Sequence, residues 1–207
     1  MKKSLVVASL LFLGASSVLV AAEAGNEWFI GGEFGGMNIK SKTSATVSFG
    51  GISATESESD TTRATYEAFK VGKYFEYGRV YGSFGIQNEK DDFSSFSLGL
   101  GYDYLFKNKS NFTPFLGINA SYSKAKIDDA DIKEMGLDKP KGFNYGLEAG
   151  LLYAMTKNIE LEIGLRYMKS NVDKSATDNI TFAPFSVSGK VESENITQYY
   201  LGLNYKF

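Results

Sequence analysis

From Gln198 to Phe207 the chain alternates without a break: Tyr199, Leu201, Leu203, Tyr205 and Phe207 share one face, while Gln198, Tyr200, Gly202, Asn204 and Lys206 share the other. Period-two alternation marks a strand whose two faces meet different surroundings. This stripe ends on an aromatic residue in register with its apolar members, with no polar tail beyond it, so it is expected to face hydrocarbon. A bilayer interior offers no water to backbone N–H and C=O groups, so strands can cross it only in a sheet that closes on itself. The chain must therefore supply enough strands to close.

Composition narrows the alternatives. Aromatic residues make up 14% of the 207 residues, beside 22 glycines and only 3 prolines. That aromatic content argues for extensive ordered surface rather than low complexity, and suits aromatic girdles flanking an apolar band. A net charge of -2 supplies no basic face, so nucleic acid is excluded as a partner. Residues 1–22 carry Lys2 and Lys3, an apolar stretch over 5–20, and small residues Ala21 and Ala22. They read as a cleaved secretory signal, with a second cleavage choice after Ala24. Residues 23–207 then form one domain, held without disulfides because the chain has no cysteine.

Seven further segments alternate like the last: about 28–37, 66–75, 80–87, 93–106, 113–123, 143–155 and 159–168. Their apolar faces include Trp28, Ile30, Phe34, Phe69, Val71, Phe84, Phe96, Leu98, Leu100, Leu116, Ile118, Leu147, Leu151, Ile163 and Leu165. The opposite faces are glycine-rich, small or polar. Eight strands of roughly ten residues each match the smallest transmembrane barrels. Connections 76–79, 107–111 and 156–158 are short, whereas 41–65, 124–141 and 170–194 are long, and 88–92 is a short member of the long set. The expected fold is all-β: a transmembrane, eight-stranded, antiparallel up-and-down β-barrel. Short turns then face the periplasm and long loops the outside, which puts both termini in the periplasm. Segments 46–52 and 180–191 also alternate and are expected to carry strands above the membrane.

Three stretches carry a family resemblance: 28–36 (WFIGGEFGG), 160–167 (ELEIGLRY) and 199–207. The chain resembles the small eight-stranded outer-membrane barrels that include the OmpA membrane domain, OmpX and the opacity-type surface proteins. The resemblance implies that Tyr199, Leu201, Leu203, Tyr205 and Phe207 form the strand read by the barrel-assembly machinery, and that outer-membrane lipid and lipopolysaccharide surround the barrel. Because the chain stops at Phe207, no peptidoglycan-binding domain of the kind that follows the barrel in OmpA is expected.

Inside so narrow a barrel, side chains fill the space, so inward charges must pair. Pairing Gly150 with Gly164 across the 156–158 turn makes Glu148 and Arg166 direct neighbours. Glu33 and Lys70 lie near mid-height on the first two strands, and Glu162 lies below Arg166. These five are expected to form an interior cluster in which Arg166 bridges Glu148 and at least one of Glu33 and Glu162. The cluster reads as a polar core that fills the barrel, or alternatively as a gate for small ions.

Chemistry is poorly supplied. The chain has neither histidine nor cysteine, which excludes Ser-His and Asp-His mechanisms, Cys nucleophiles and thiolate metal sites. Glu160 and Glu162 remain as a carboxylate pair, equally explained as an interior polar row. The acidic run Asp128, Asp129, Asp131 and Glu134 lacks the glycine and ligand spacing of a calcium loop. No cofactor, metal or catalytic residue is expected. The favoured role is a structural, surface-exposed barrel whose loops meet a host or cell-surface ligand, with Phe49, Ile52, Phe182, Phe185 and Val187 as apolar loop content. The alternatives are a small ion-conducting pore and, third, a membrane-embedded enzyme.

Overall fold

A computed structural model describes residues 27–88, 93–127, 139–178 and 185–207. The expected signal segment, the acidic run and Phe182 lie outside the described residues, as do the side chains of Phe185 and Val187.

Among the described residues nine strands follow in chain order: β1 (Trp28–Phe49), β2 (Ile52–Phe75), β3 (Gly78–Asn88), β4 (Phe93–Leu105), β5 (Phe112–Ile127), β6 (Lys141–Ala154), β7 (Ile159–Ser170), β8 (Asp173–Asp178) and β9 (Phe185–Lys206). Each neighbour is antiparallel, and β9 pairs with both β7 and β1, so eight strands close into a ring. The ring is sealed at its end by Trp28 and Phe207, which exchange backbone hydrogen bonds of 3.1 and 2.9 Å. Closure removes the edges that a bilayer would penalise.

The two faces divide by polarity as the alternation predicts. Leu98 and Leu201 are 58% and 64% exposed, while Glu148 and Arg166 are 2% and 5% exposed. A soluble barrel would invert this arrangement, because a continuous apolar belt cannot be left in water. The belt is bounded near the termini by Trp28, Phe75, Tyr104, Phe106, Phe112 and Tyr153, all exposed. At the opposite end Phe96, Phe143, Tyr145, Tyr167 and Tyr199 are likewise exposed. Such girdles mark the two polar boundaries of the bilayer.

Two expectations need correction. Residues 41–65 are a tall hairpin rather than a loop, so the strand expected over 46–52 is present but belongs to a longer ladder: β1 and β2 stay paired from Trp28↔Lys73 to Phe49↔Ile52, and Gly50 and Gly51 make the turn. Both have positive φ, 56° and 87°, the backbone of a two-residue hairpin turn that favours glycine. Residues 170–194 likewise hold a ninth strand, β8, beside the extended start of β9. β3 pairs with β2 only as far as Thr65↔Asn88. Beyond that level the described strands continue as a sheet in the order β2-β1-β9-β8, which is joined to the ring again where Asp173 of β8 pairs with Lys141 of β6. Cross-strand hydroxyl pairs tie its hairpin, namely Ser44 with Ser57 (3.1 Å), Thr46 with Thr55 (2.9 Å) and Ser48 with Ser53 (2.8 Å).

Candidate functional site

The interior is a stack of layers. Nearest the termini, Phe29, Tyr74, Tyr81, Leu105, Phe115 and Leu152 form a buried apolar cluster. A second apolar cluster, with Met37, Ile39, Ala64, Tyr66, Met168 and Ile196, lies toward the loop end. Strand alternation aims charged side chains at the axis between them.

The upper charged layer centres on Arg166. Its Nε donates to Glu148 Oε2 at 2.7 Å, Nη2 to Glu33 Oε1 at 3.3 Å and Nη1 to Gln198 Oε1 at 3.0 Å. The register behind the first of these contacts pairs Gly150 with Gly164 and Glu148 with Arg166. The Tyr81 hydroxyl donates to Glu148, and the Tyr66 hydroxyl to Glu33 at 3.0 Å. The Arg166 guanidinium also lies 4.8 Å from the Tyr200 ring centroid. That ring can lie flat because Gly164 is opposite: a Cβ there would come within 2.3 Å of the Tyr200 ring carbon Cζ.

Lys70 joins this layer to the next. Its Nζ lies 2.7 Å from Glu33 and 3.0 Å from both carboxylate oxygens of Glu162. Glu162 in turn accepts two hydrogen bonds from Arg79, at 2.9 and 2.7 Å, one from Asn204 at 2.8 Å and one from the Tyr200 hydroxyl at 3.0 Å. Arg79 Nε donates to Asp103 Oδ2 at 2.6 Å. Its guanidinium is packed between the rings of Phe29 and Phe115, at 5.6 and 5.0 Å. Lowest of all, Glu160 accepts from the Tyr74 hydroxyl at 2.6 Å and from Lys206 at 2.9 Å.

All five residues named from the sequence, Glu33, Lys70, Glu148, Glu162 and Arg166, thus meet in one network. Arg166 reaches Glu148 and Glu33, whereas Glu162 belongs to Lys70 and Arg79. The alternation already faces Asp103, Lys206, Tyr74, Tyr81 and Tyr200 inward, and Glu160 reads as part of an interior polar row, but none of these was assigned to the cluster, and Arg79 was missed altogether. Arg79 was assigned to a turn over 76–79, but the turn is only Glu76 and Tyr77, and β3 starts at Gly78. Parity with Tyr81 was the signal that aims Arg79 inward. On β9, Tyr199 and Leu201 face outward and are exposed, with Leu203, Tyr205 and Phe207 half-buried.

Ionic groups out of water need every partner satisfied, and a bidentate Arg–carboxylate pair supplies the strongest such contacts. The arrangement packs the described part of the lumen with buried, paired charges. Above it, a cavity of about 30 Å³ lies among Ser83, Ser97, Asn119, Ser121, Asn144 and Arg166. That is room for about two water molecules. Asn119 Nδ2 and Asn144 Oδ1 have no protein hydrogen-bond partner, as expected of polar atoms that border water. Among the described residues no group of His, Cys, Asp or Glu has the makings of a metal site.

Comparison with known proteins agrees with this architecture. The neisserial surface protein NspA is 20% identical and superposes with a TM-score of 0.53, covering 83% of this chain and 97% of its own. OprG, an outer membrane protein of Pseudomonas aeruginosa, is 15% identical with a TM-score of 0.51, covering 88% of this chain and 96% of its own. At these identities the likeness concerns the fold. No curated protein matches the chain by sequence. A family model described as an outer membrane protein beta-barrel domain matches residues 8–207. A closed eight-strand ring, a lipid-facing apolar belt, a packed ionic lumen and that match along nearly the whole length agree: the chain belongs to the family of outer membrane protein β-barrel domains.

Proposed function

We propose that this outer-membrane barrel is a structural, non-enzymatic surface protein that presents its long hairpins to a host or cell-surface ligand. The observation that carries this reading is the sheet β2-β1-β9-β8, which continues past the ring while the lumen beneath it is packed with paired charges. Among the described residues the strands that rise past the ring do so at one end, and a scaffold of this kind displays that end. The hairpin tip supplies contact chemistry. Val47, Phe49 and Ile52 are exposed at 41%, 51% and 77%, and Glu56 and Glu58 stand exposed on β2 below them.

In this reading the loop end faces outward and both termini face the periplasm. The outward strand ending Tyr205-Lys206-Phe207 is what the assembly machinery recognises, and the 1–22 segment is removed on export. Deleting 41–61 and 173–193 together and measuring adhesion to host cells tests the role. Lost adhesion with an intact barrel supports it. Unchanged adhesion together with ion current across a planar bilayer would instead favour the pore.

A further inference from the structure

Three consecutive strands carry the same pattern at the loop end: an outward aromatic residue, then a lysine two residues nearer the loops on the same face. The pairs are Tyr122 and Lys124 on β5, Phe143 and Lys141 on β6, and Tyr167 and Lys169 on β7. Two residues of tilted strand correspond to a rise of about 5 Å. The aromatic girdle fixes the edge of the hydrocarbon, so the ammonium groups sit in the headgroup layer, their methylene stems lying along the apolar belt.

The pattern is confined to one flank. The position beyond Phe69 on β2 is Glu67, and that beyond Phe96 on β4 is Ser94. On the lysine flank, Lys124 and Lys141 stand directly opposite each other in the β5–β6 register. Like charges so placed, about 5 Å apart at Cβ, destabilise a sheet. Two other lysines at this end have found carboxylates: Lys40 lies 3.1 Å from Glu194, and Lys190 is paired with Glu192. Neither Lys124 nor Lys141 makes an ion pair among the described residues. Asp173 faces Lys141 in register from β8, yet the two carry no salt bridge. Lys124 instead lies 6.0 Å from the ring centroids of both Phe96 and Tyr122.

We propose that Lys124 and Lys141 form a binding site for the phosphate of a membrane-lipid headgroup. A phosphate monoester carries up to two negative charges and three acceptor oxygens, enough to bridge both ammonium groups and relieve their repulsion. The acyl chains of the same lipid then run down the barrel wall over Ile118, Leu147 and Leu165. The site rests on the membrane reading of the fold, and not on what the hairpins bind.

The test uses the full mature chain refolded in neutral maltoside micelles, with native mass spectrometry as the readout. The probes are lipid A, the same glycolipid with its phosphates removed, and inorganic phosphate. Lipid A is expected to bind the wild type, and K124Q/K141Q is expected to bind it about thirtyfold more weakly, the share of two lysines at a membrane surface. The dephosphorylated lipid should bind the wild type as weakly as lipid A binds the variant. Equal binding of both lipids to the wild type overturns the site, and that comparison needs no variant to fold. Equal binding of lipid A to wild type and refolded variant also overturns it. Inorganic phosphate binding as tightly as lipid A would mean an adventitious ion only. A product that stays soluble without detergent and shows no gel-mobility change on boiling would instead sink the membrane reading itself.

Discussion

Glu148 and Arg166 face each other across the β6–β7 ladder, with Arg166 Nε donating to Glu148 Oε2 at 2.7 Å. The same guanidinium holds Glu33 and Gln198, so one side chain ties β6, β7, β1 and β9 across the interior. The contact with Glu33 joins β7 to β1, two strands that the backbone ladder does not connect directly.

Replacing Arg166 by alanine leaves two buried carboxylates without their shared cation. The expected loss of stability is about 3 to 5 kcal/mol, read from urea unfolding of the refolded protein in detergent. A loss below about 1 kcal/mol, the scale of an exposed ion pair, would refute the bridging role.

Arg79 and Asp103 offer a sharper comparison. Arg79→Met strands Asp103, whose other oxygen already lacks a hydrogen-bond partner, while Glu162 keeps Lys70. Adding Asp103→Asn removes the stranded charge, so the double variant should be more stable than Arg79→Met alone by about 1 to 3 kcal/mol. A double-mutant cycle measures it, and strictly additive losses would count against the pairing.

Gly164 marks a steric limit. A methyl group at this position collides with the Tyr200 ring, which is held between Arg166 and Glu162. Gly164→Ala is expected to cost about 1 to 3 kcal/mol through overpacking, and Gly164→Ala combined with Tyr200→Ala should cost less than the two separate losses summed. Thermal midpoints of the heat-modifiable gel band would reveal the coupling.

The projecting hairpin should be dispensable for folding. Its residues beyond about Lys40 lie above both apolar clusters of the lumen, so replacing 44–57 by a Gly-Gly turn leaves the ring contacts intact. The shortened protein is expected to refold and to keep its mobility shift on boiling. Loss of that shift would make the hairpin part of the barrel's stability instead of a display element.

Much of the fold was legible because a strand has a side-chain period of two and one face here must be apolar. Shifting any strand by a single residue would turn Leu98 or Leu201 inward and an acidic or amide group toward lipid, so the facing of each strand admits one solution. The Glu148 and Arg166 pairing follows from counting across a short hairpin. Arg79 was lost for the opposite reason, since misplacing a turn boundary by two residues removed a charge from the lumen. The height of the outer hairpins was only partly readable: Ser, Thr and Glu alternate there with few apolar residues, and composition alone reads as loop.

The amino-acid sequence by itself determined which face of each strand meets hydrocarbon, because alternation and the ban on unpaired backbone in a bilayer leave no other arrangement. Only the tertiary structure decided which interior charges meet. Lys70 and Glu162 are separated by 92 positions in the chain, and Arg79 and Glu162 by 83. Their contact depends on ring closure and on the stagger between strands, which bring opposite walls of a narrow barrel to hydrogen-bond distance. No local pattern encodes that distance.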